Sequence, residues 1–166
     1  LIADLSKFGT VHLTGAYSHD LMLHGDVDIS VVGEKQFSKE EVFEIFRSLY
    51  FQGKFRSYFI GGDWDDPRKG REFPNGYYIG LKEKINGEGW KFDIWFMDES
   101  EFAKRNNNTP LGATSDTQKE LILHCKQYRN EQKISLSSQQ IYNSVLGSEW
   151  KNIDDFKQYL QYTPKE

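Results

Sequence analysis

The sequence predicts an α+β protein, with a mixed β-sheet of about five strands flanked by helices and a C-terminal helical appendage. Three observations carry that prediction. Up to about residue 98, short alternating apolar runs are interrupted by one helical stripe. Asn86-Gly87 separates two of those runs, a strong hairpin signal. Beyond residue 105 the alternation gives way to helical spacing behind Ser and Asn caps. That change sets the expected division into residues 1–105 and 106–166. The second part is roughly 60 residues, a marginal core by itself, so it is expected to pack on the first.

The elements follow in order. Residues 11–13 read as a short strand ending at Gly15, and 18–23 as one or two helical turns. In residues 26–32, Val27, Ile29 and Val31 share one face, while Asp26, Asp28 and Ser30 share the other. Ser38 with Glu41 forms a capping box, and Val42, Phe43, Ile45, Phe46, Leu49 and Tyr50 form the helical stripe behind it. Residues 55–60 make a strand. A polar loop over 61–76 carries Arg68, Lys69 and Arg71 beside Asp63, Asp65 and Asp66; a solvated loop is the default there, a lid the alternative. Tyr77, Ile79 and Leu81 alternate, as does the run 90–96. Helices are predicted over 116–128 after Ser115, 139–146 after Ser137 and 153–160 after Asn152.

Composition narrows the class. Of 166 residues, 37% are hydrophobic and 15% aromatic, which excludes a disordered chain. The net charge of −4 argues against general nucleic-acid binding. Cys125 is the one cysteine, so no intrachain disulfide forms and a cytoplasmic setting is expected. No apolar run approaches the roughly 18 residues of a membrane span, and the N-terminus has no secretory pattern. The four histidines lack zinc spacing.

The chemistry concentrates in three carboxylates. Residues i and i+2 of a strand point the same way, so Asp26 and Asp28 stand about 6–7 Å apart on one face. Two like charges so close favour a cation between them, and hard oxygens suit Mg²⁺ or Mn²⁺. Asp93, flanked by Phe92 and Ile94, is the candidate third ligand if its strand lies beside that of Asp26. Two ions could then be held. Gly15 lets the backbone approach an anion, with the following amides as donors.

Leu13-Thr14-Gly15-Ala16, a nine-residue spacer and Asp26-Val27-Asp28-Ile29 resemble the signature of the nucleotidyltransferase superfamily with the DNA polymerase beta-type fold. Phe92-Asp93-Ile94 is similar to the context of that family's third carboxylate. The resemblance covers residues 11 to about 97. The helical tail looks most like antibiotic-modifying nucleotidyltransferases and their uncharacterised relatives.

It implies transfer of a nucleoside monophosphate from an NTP, such as ATP, to a hydroxyl of a small-molecule acceptor, with release of pyrophosphate. Asp26, Asp28 and Asp93 would be the catalytic and metal-binding residues for Mg²⁺ or Mn²⁺. Gly15, Ala16 and Ser18 would bind the nucleotide. Ala16 stands where the family usually has a serine that contacts phosphate, and Ser18 is the nearby hydroxyl. The alternative is an inactive member of the same fold, a nucleotide-binding or antitoxin-like module with a partner protein.

Overall fold

Five strands form one sheet in the order β1 (Thr10–Thr14), β2 (Gly25–Gly33), β5 (Glu88–Asp98), β4 (Tyr77–Ile85) and β3 (Ser57–Ile60). The computed structural model describes residues 1–61, 74–106 and 114–162. Among the described residues, only β2 and β5 pair in parallel; β1–β2, β5–β4 and β4–β3 are antiparallel. The sheet is therefore mixed, as the sequence predicts. Most of the polar loop, residues 62–73 with Trp64, Arg68, Lys69 and Arg71, lies outside the described residues.

The chain divides into two compact units. The first comprises Leu1–Ser18 and His24–Asn108, the second His19–Leu23 and Thr109–Glu166.

In the first unit the local signals produce the predicted elements. Asn86 and Gly87 both take positive φ, 54° and 87°, as a two-residue hairpin turn with the right-handed strand twist requires. Helix α2 (Lys39–Gln52) begins at the capping box: Glu41 N–H donates to Ser38 Oγ at 3.2 Å, and Ser38 N–H to Glu41 Oε2 at 2.7 Å. It ends at Gly53 in left-handed geometry. Its buried face, Val42, Ile45 and Leu49, joins a core with Val27, Ile29, Val31, Ile79, Leu81, Ile94 and Phe96. Each such side chain contributes about 1.5–3 kcal/mol when buried.

Two helices extend the prediction. A single turn, α1 (Ile2–Leu5), seats Leu5 in the core. Helix α3 (Glu99–Asn106) packs over β2 and β5, with Phe102 stacked on His12 at 4.3 Å. Asp98 caps it, accepting Glu101 N–H at 2.8 Å. This explains why Ser30 and Val32, on the face expected to be polar, are buried.

The helical turns expected over residues 18–23 are a correction. Only a 3-10 turn, Tyr17–His19, forms, and Asp20 at φ 58° ends it. An Asp in left-handed geometry breaks the hydrogen-bond ladder that a second turn needs.

In the second unit, α4 (Asp116–Glu131) and α5 (Ser138–Leu146) start at capping boxes, Ser115/Gln118 and Ser137/Gln140. Asn152 Oδ1 accepts the amides of Asp154 and Asp155 at the start of α6 (Ile153–Tyr162). Ile122, Cys125, Ile141, Val145, Trp150, Phe156 and Leu21 are buried. The nearly buried Lys126 donates to the Leu21 carbonyl and to Tyr142 Oη, the latter at 3.4 Å, and Lys119 pairs with Asp20 at 3.4 Å. No helix among the described residues is long and apolar enough to cross a membrane.

Candidate active site

The parallel pairing of β2 with β5 sets the site. Its register places Asp28 opposite Asp93 and Asp26 opposite Lys91. Because alternate residues of a strand share a face, these four side chains lie together on the side away from α2. Asp93 is brought beside Asp26 and Asp28, which the sequence left conditional on strand order.

Asp93 is more buried than Asp26 or Lys91, with its side chain 14% exposed, against 37% for Asp26 and 44% for Lys91. A carboxylate so placed needs partners, and it has two. Tyr78 Oη donates to Asp93 Oδ1 at 2.5 Å, and Lys91 Nζ donates to Asp93 Oδ2. Lys91 also faces Asp26 Oδ1 at 3.9 Å. Among the described residues, that oxygen is buried and has no hydrogen-bond partner.

Burial favours the neutral Tyr78 phenol, and the hydrogen bond to Asp93 adds to it, so its pKa is pushed well up and it stays a donor. Burial opposes the charge on Lys91. The hydrogen bond to Asp93 and the fields of Asp93, Asp26 and Asp28 outweigh it and raise the lysine pKa.

Glycines make the arrangement sterically possible. Gly80 is the register partner of Asp93, and a Cβ there would meet Tyr78 Oη at 2.6 Å. The missing side chain lets the phenol lie across β4 to reach the carboxylate. Gly15 takes φ +64°, and its Cβ would fall 2.0 Å from Asp28 Oδ2. The turn after β1 and the strand carrying Asp26 and Asp28 are thus fitted to each other. Thr14 Oγ1 reinforces this by donating to the Asp28 carbonyl at 3.4 Å.

The other expected nucleotide ligands sit in that turn. Ser18 Oγ donates to the Gly15 carbonyl at 3.0 Å, so its hydroxyl closes the turn rather than capping a helix. Ala16 lies between the two and offers backbone only. A three-residue 3-10 turn supplies little dipole, so any anion here would depend on individual amides.

Among the described residues, no three His, Cys, Asp or Glu side chains stand close enough to share one ion. Lys91 lies between Asp26 and Asp93 instead. The donor set still fits a hard divalent ion: adjacent carboxylates on one face, one with a buried oxygen that lacks a hydrogen bond among the described residues. Asp26 and Asp28 are the residues that would hold it.

Sequence reasoning did not pair Tyr78 with Asp93. The signal was present: counting outward from the Asn86-Gly87 turn puts Gly80 opposite Asp93 and Tyr78 two residues away on the same face.

The chain shares its α+β fold with solved polymerase structures, in keeping with the nucleotidyltransferase-type fold that its motifs resemble. It is similar to the structure of Cid1 poly(U) polymerase solved with magnesium and 3′-dATP, with TM-score 0.60 and 17% identity, covering 87% of this chain and 43% of that one. It is also similar to the polymerase core of TRAMP, an RNA surveillance complex, with TM-score 0.54 and 17% identity, covering 92% of this chain and 52% of that one. The chain thus spans about half the length of these structures. Neither a protein-family model nor a curated protein matches it in sequence.

Proposed function

We propose that the chain is a divalent-metal-dependent nucleotidyltransferase. It would move a nucleoside monophosphate from an NTP to a hydroxyl acceptor and release pyrophosphate. The observation that carries this reading is the register of β2 and β5, with Asp28 opposite Asp93 and Asp26 on the same face.

In this reading the acceptor hydroxyl oxygen attacks the α-phosphorus and the bond to the bridging oxygen breaks. Pyrophosphate leaves with that electron pair, and the hydroxyl proton passes to a carboxylate of the group. Asp26 and Asp28 hold Mg²⁺ or Mn²⁺, which when bound supplies neutralisation of the triphosphate charge. Asp93 anchors the adjacent strand's contribution. Gly15, Ala16 and Ser18 form the turn that receives the phosphates through backbone amides. The net charge of −4 supports a small hydroxyl compound over a nucleic-acid strand as acceptor. The buried lone Cys125 is compatible with a cytoplasmic setting.

The test is label transfer from each α-labelled NTP with Mg²⁺ or Mn²⁺, to small polyhydroxyl compounds and to RNA oligonucleotides in parallel. Labelled small product with equimolar pyrophosphate is expected. Absence of pyrophosphate release with every NTP would end the enzyme reading.

Ala16, which offers no phosphate-binding hydroxyl, favours a second reading: an inactive nucleotide-binding module, antitoxin-like, acting through a partner protein. Calorimetry separates the two. NTP binding that is indifferent to Mg²⁺ supports the second.

A further inference from the structure

Lys91 is a feature that the nucleotidyl-transfer reading does not absorb. It lies on the carboxylate face itself, opposite Asp26 in the β2–β5 register and two residues before Asp93 on the same strand. Its ammonium donates to Asp93 Oδ2 and stands 3.9 Å from Asp26 Oδ1. It thus lies where a cation bridging Asp26 and Asp93 would have to lie.

The other oxygen of Asp93 is also engaged. Tyr78 Oη donates to Oδ1, and Gly80 is what lets that phenol reach across the sheet. Ligation of a divalent ion by Asp93 would therefore cost either a charge-assisted hydrogen bond or the Tyr78 hydrogen bond. Asp26 Oδ1, in contrast, is buried without a hydrogen bond among the described residues, so ligation there satisfies an orphaned acceptor at no such loss. Asp26, Asp28 and Asp93 together bring three negative charges, and Lys91 offsets one of them inside the group.

We propose that Lys91 is a tethered cation that stands in for one of two metal ions, so that the site takes a single divalent ion, at Asp26 and Asp28. Lys91 is then a positioning residue. It holds the Asp93 carboxylate on the sheet and keeps a fixed positive charge beside the ion. The inference rests on the nucleotidyl-transfer reading and changes the expected ion count from two to one.

The experiment is Mn²⁺ titration of the full chain by calorimetry, with bound Mn²⁺ counted independently by electron paramagnetic resonance. It is run on the wild type, Lys91→Met and Lys91→Arg. Melting curves check that each variant folds. One Mn²⁺ per chain is expected in the wild type and in Lys91→Arg, which keeps the charge, and two in Lys91→Met, whose side chain has similar length and no charge. Two Mn²⁺ on the wild type would overturn the proposal whether or not a variant folds. One ion on both the wild type and a folded Lys91→Met would overturn it too, while leaving the nucleotidyl-transfer reading in place. No Mn²⁺ on either would overturn both.

Discussion

Gly15 and Asp28 occupy each other's side-chain space. A Cβ on Gly15 would stand 2.0 Å from Asp28 Oδ2 and 2.8 Å from its Cγ, and the backbone there has φ +64°. The glycine is therefore needed twice, for a left-handed turn and for the carboxylate beside it. Gly15→Ala is expected to destabilise the fold by about 1–3 kcal/mol through strain and displacement of Asp28. Asp28→Ala in the same chain should restore part of that loss. A double-mutant cycle by urea unfolding reads the coupling, expected at about 0.5–3 kcal/mol. An equal cost of Gly15→Ala with and without the carboxylate would show that backbone geometry alone demands the glycine.

Asp26→Asn and Asp28→Asn separate function from stability. Neutralising either one relieves repulsion between the carboxylates but also weakens the attraction to Lys91, so the melting temperature without metal should stay close to that of the wild type. Nucleotidyl transfer with Mg²⁺ should fall by at least about 10²–10³-fold, the scale lost when one preorganised electrostatic contact is removed. Wild-type turnover in either variant would refute the assignment of these residues.

Local signals were enough for much of this fold. The Ser38/Glu41 box and the Asn86-Gly87 turn fixed where α2 starts and how β4 meets β5. The second of these also fixed the approach of Tyr78 to Asp93, because a two-residue turn determines every pair outward from it. The β2–β5 pairing is different. It is parallel and joins segments far apart in the chain, so no turn specifies its register, and the meeting of Asp28 with Asp93 stayed conditional. Helix α3 was hidden by its polarity, since Glu99, Glu101, Lys104 and Arg105 dilute the apolar spacing, although Asp98 with Glu101 was a cap signal. Lys91 was legible as a basic residue on the face of Asp93, but its place beside Asp26 needed the strand order.

Tyr78→Phe tests the hydroxyl without disturbing the ring. The ring contacts with Phe59 at 5.9 Å and Trp95 at 5.1 Å should survive, while Asp93 Oδ1 loses its donor. A hydrogen bond to a carboxylate contributes about 1.5–3 kcal/mol, so unfolding by urea should show a loss toward the lower end at this half-buried site. Activity should fall with kcat, since Asp93 is then held only from the Lys91 side. An unchanged unfolding midpoint and unchanged kcat would remove Tyr78 from the site.

Lys126→Met probes how the helical unit holds residues 19–23. The ammonium donates to the Leu21 carbonyl from a nearly buried position. Without it that carbonyl loses a strong donor, which costs about 1–3 kcal/mol when the group stays buried. Hydrogen exchange should quicken at the amides of residues 19–23 more than at those of β2. Uniform change across the chain would point to global destabilisation instead.

The pH dependence of the helical unit can be worked out from Cys125. Its thiol is fully buried, and burial pushes the pKa up to about 11 from an ordinary value of 9.0. A raised pKa means that the folded state keeps a proton which the unfolded state releases. Stability from this group is therefore fully present below pH 9.0 and is lost progressively between 9.0 and about 11. Lysines and tyrosines also titrate in that range, so the wild type must be compared with Cys125→Ala. The stability difference between the two should shrink as pH rises through this window. The same burial should make alkylation at pH 8 slow in the folded chain and fast in urea, because the thiolate is the reactive form. Rapid alkylation under native conditions, or a stability difference flat between pH 8 and 11, would show that the α4 face carrying Cys125 opens to solvent.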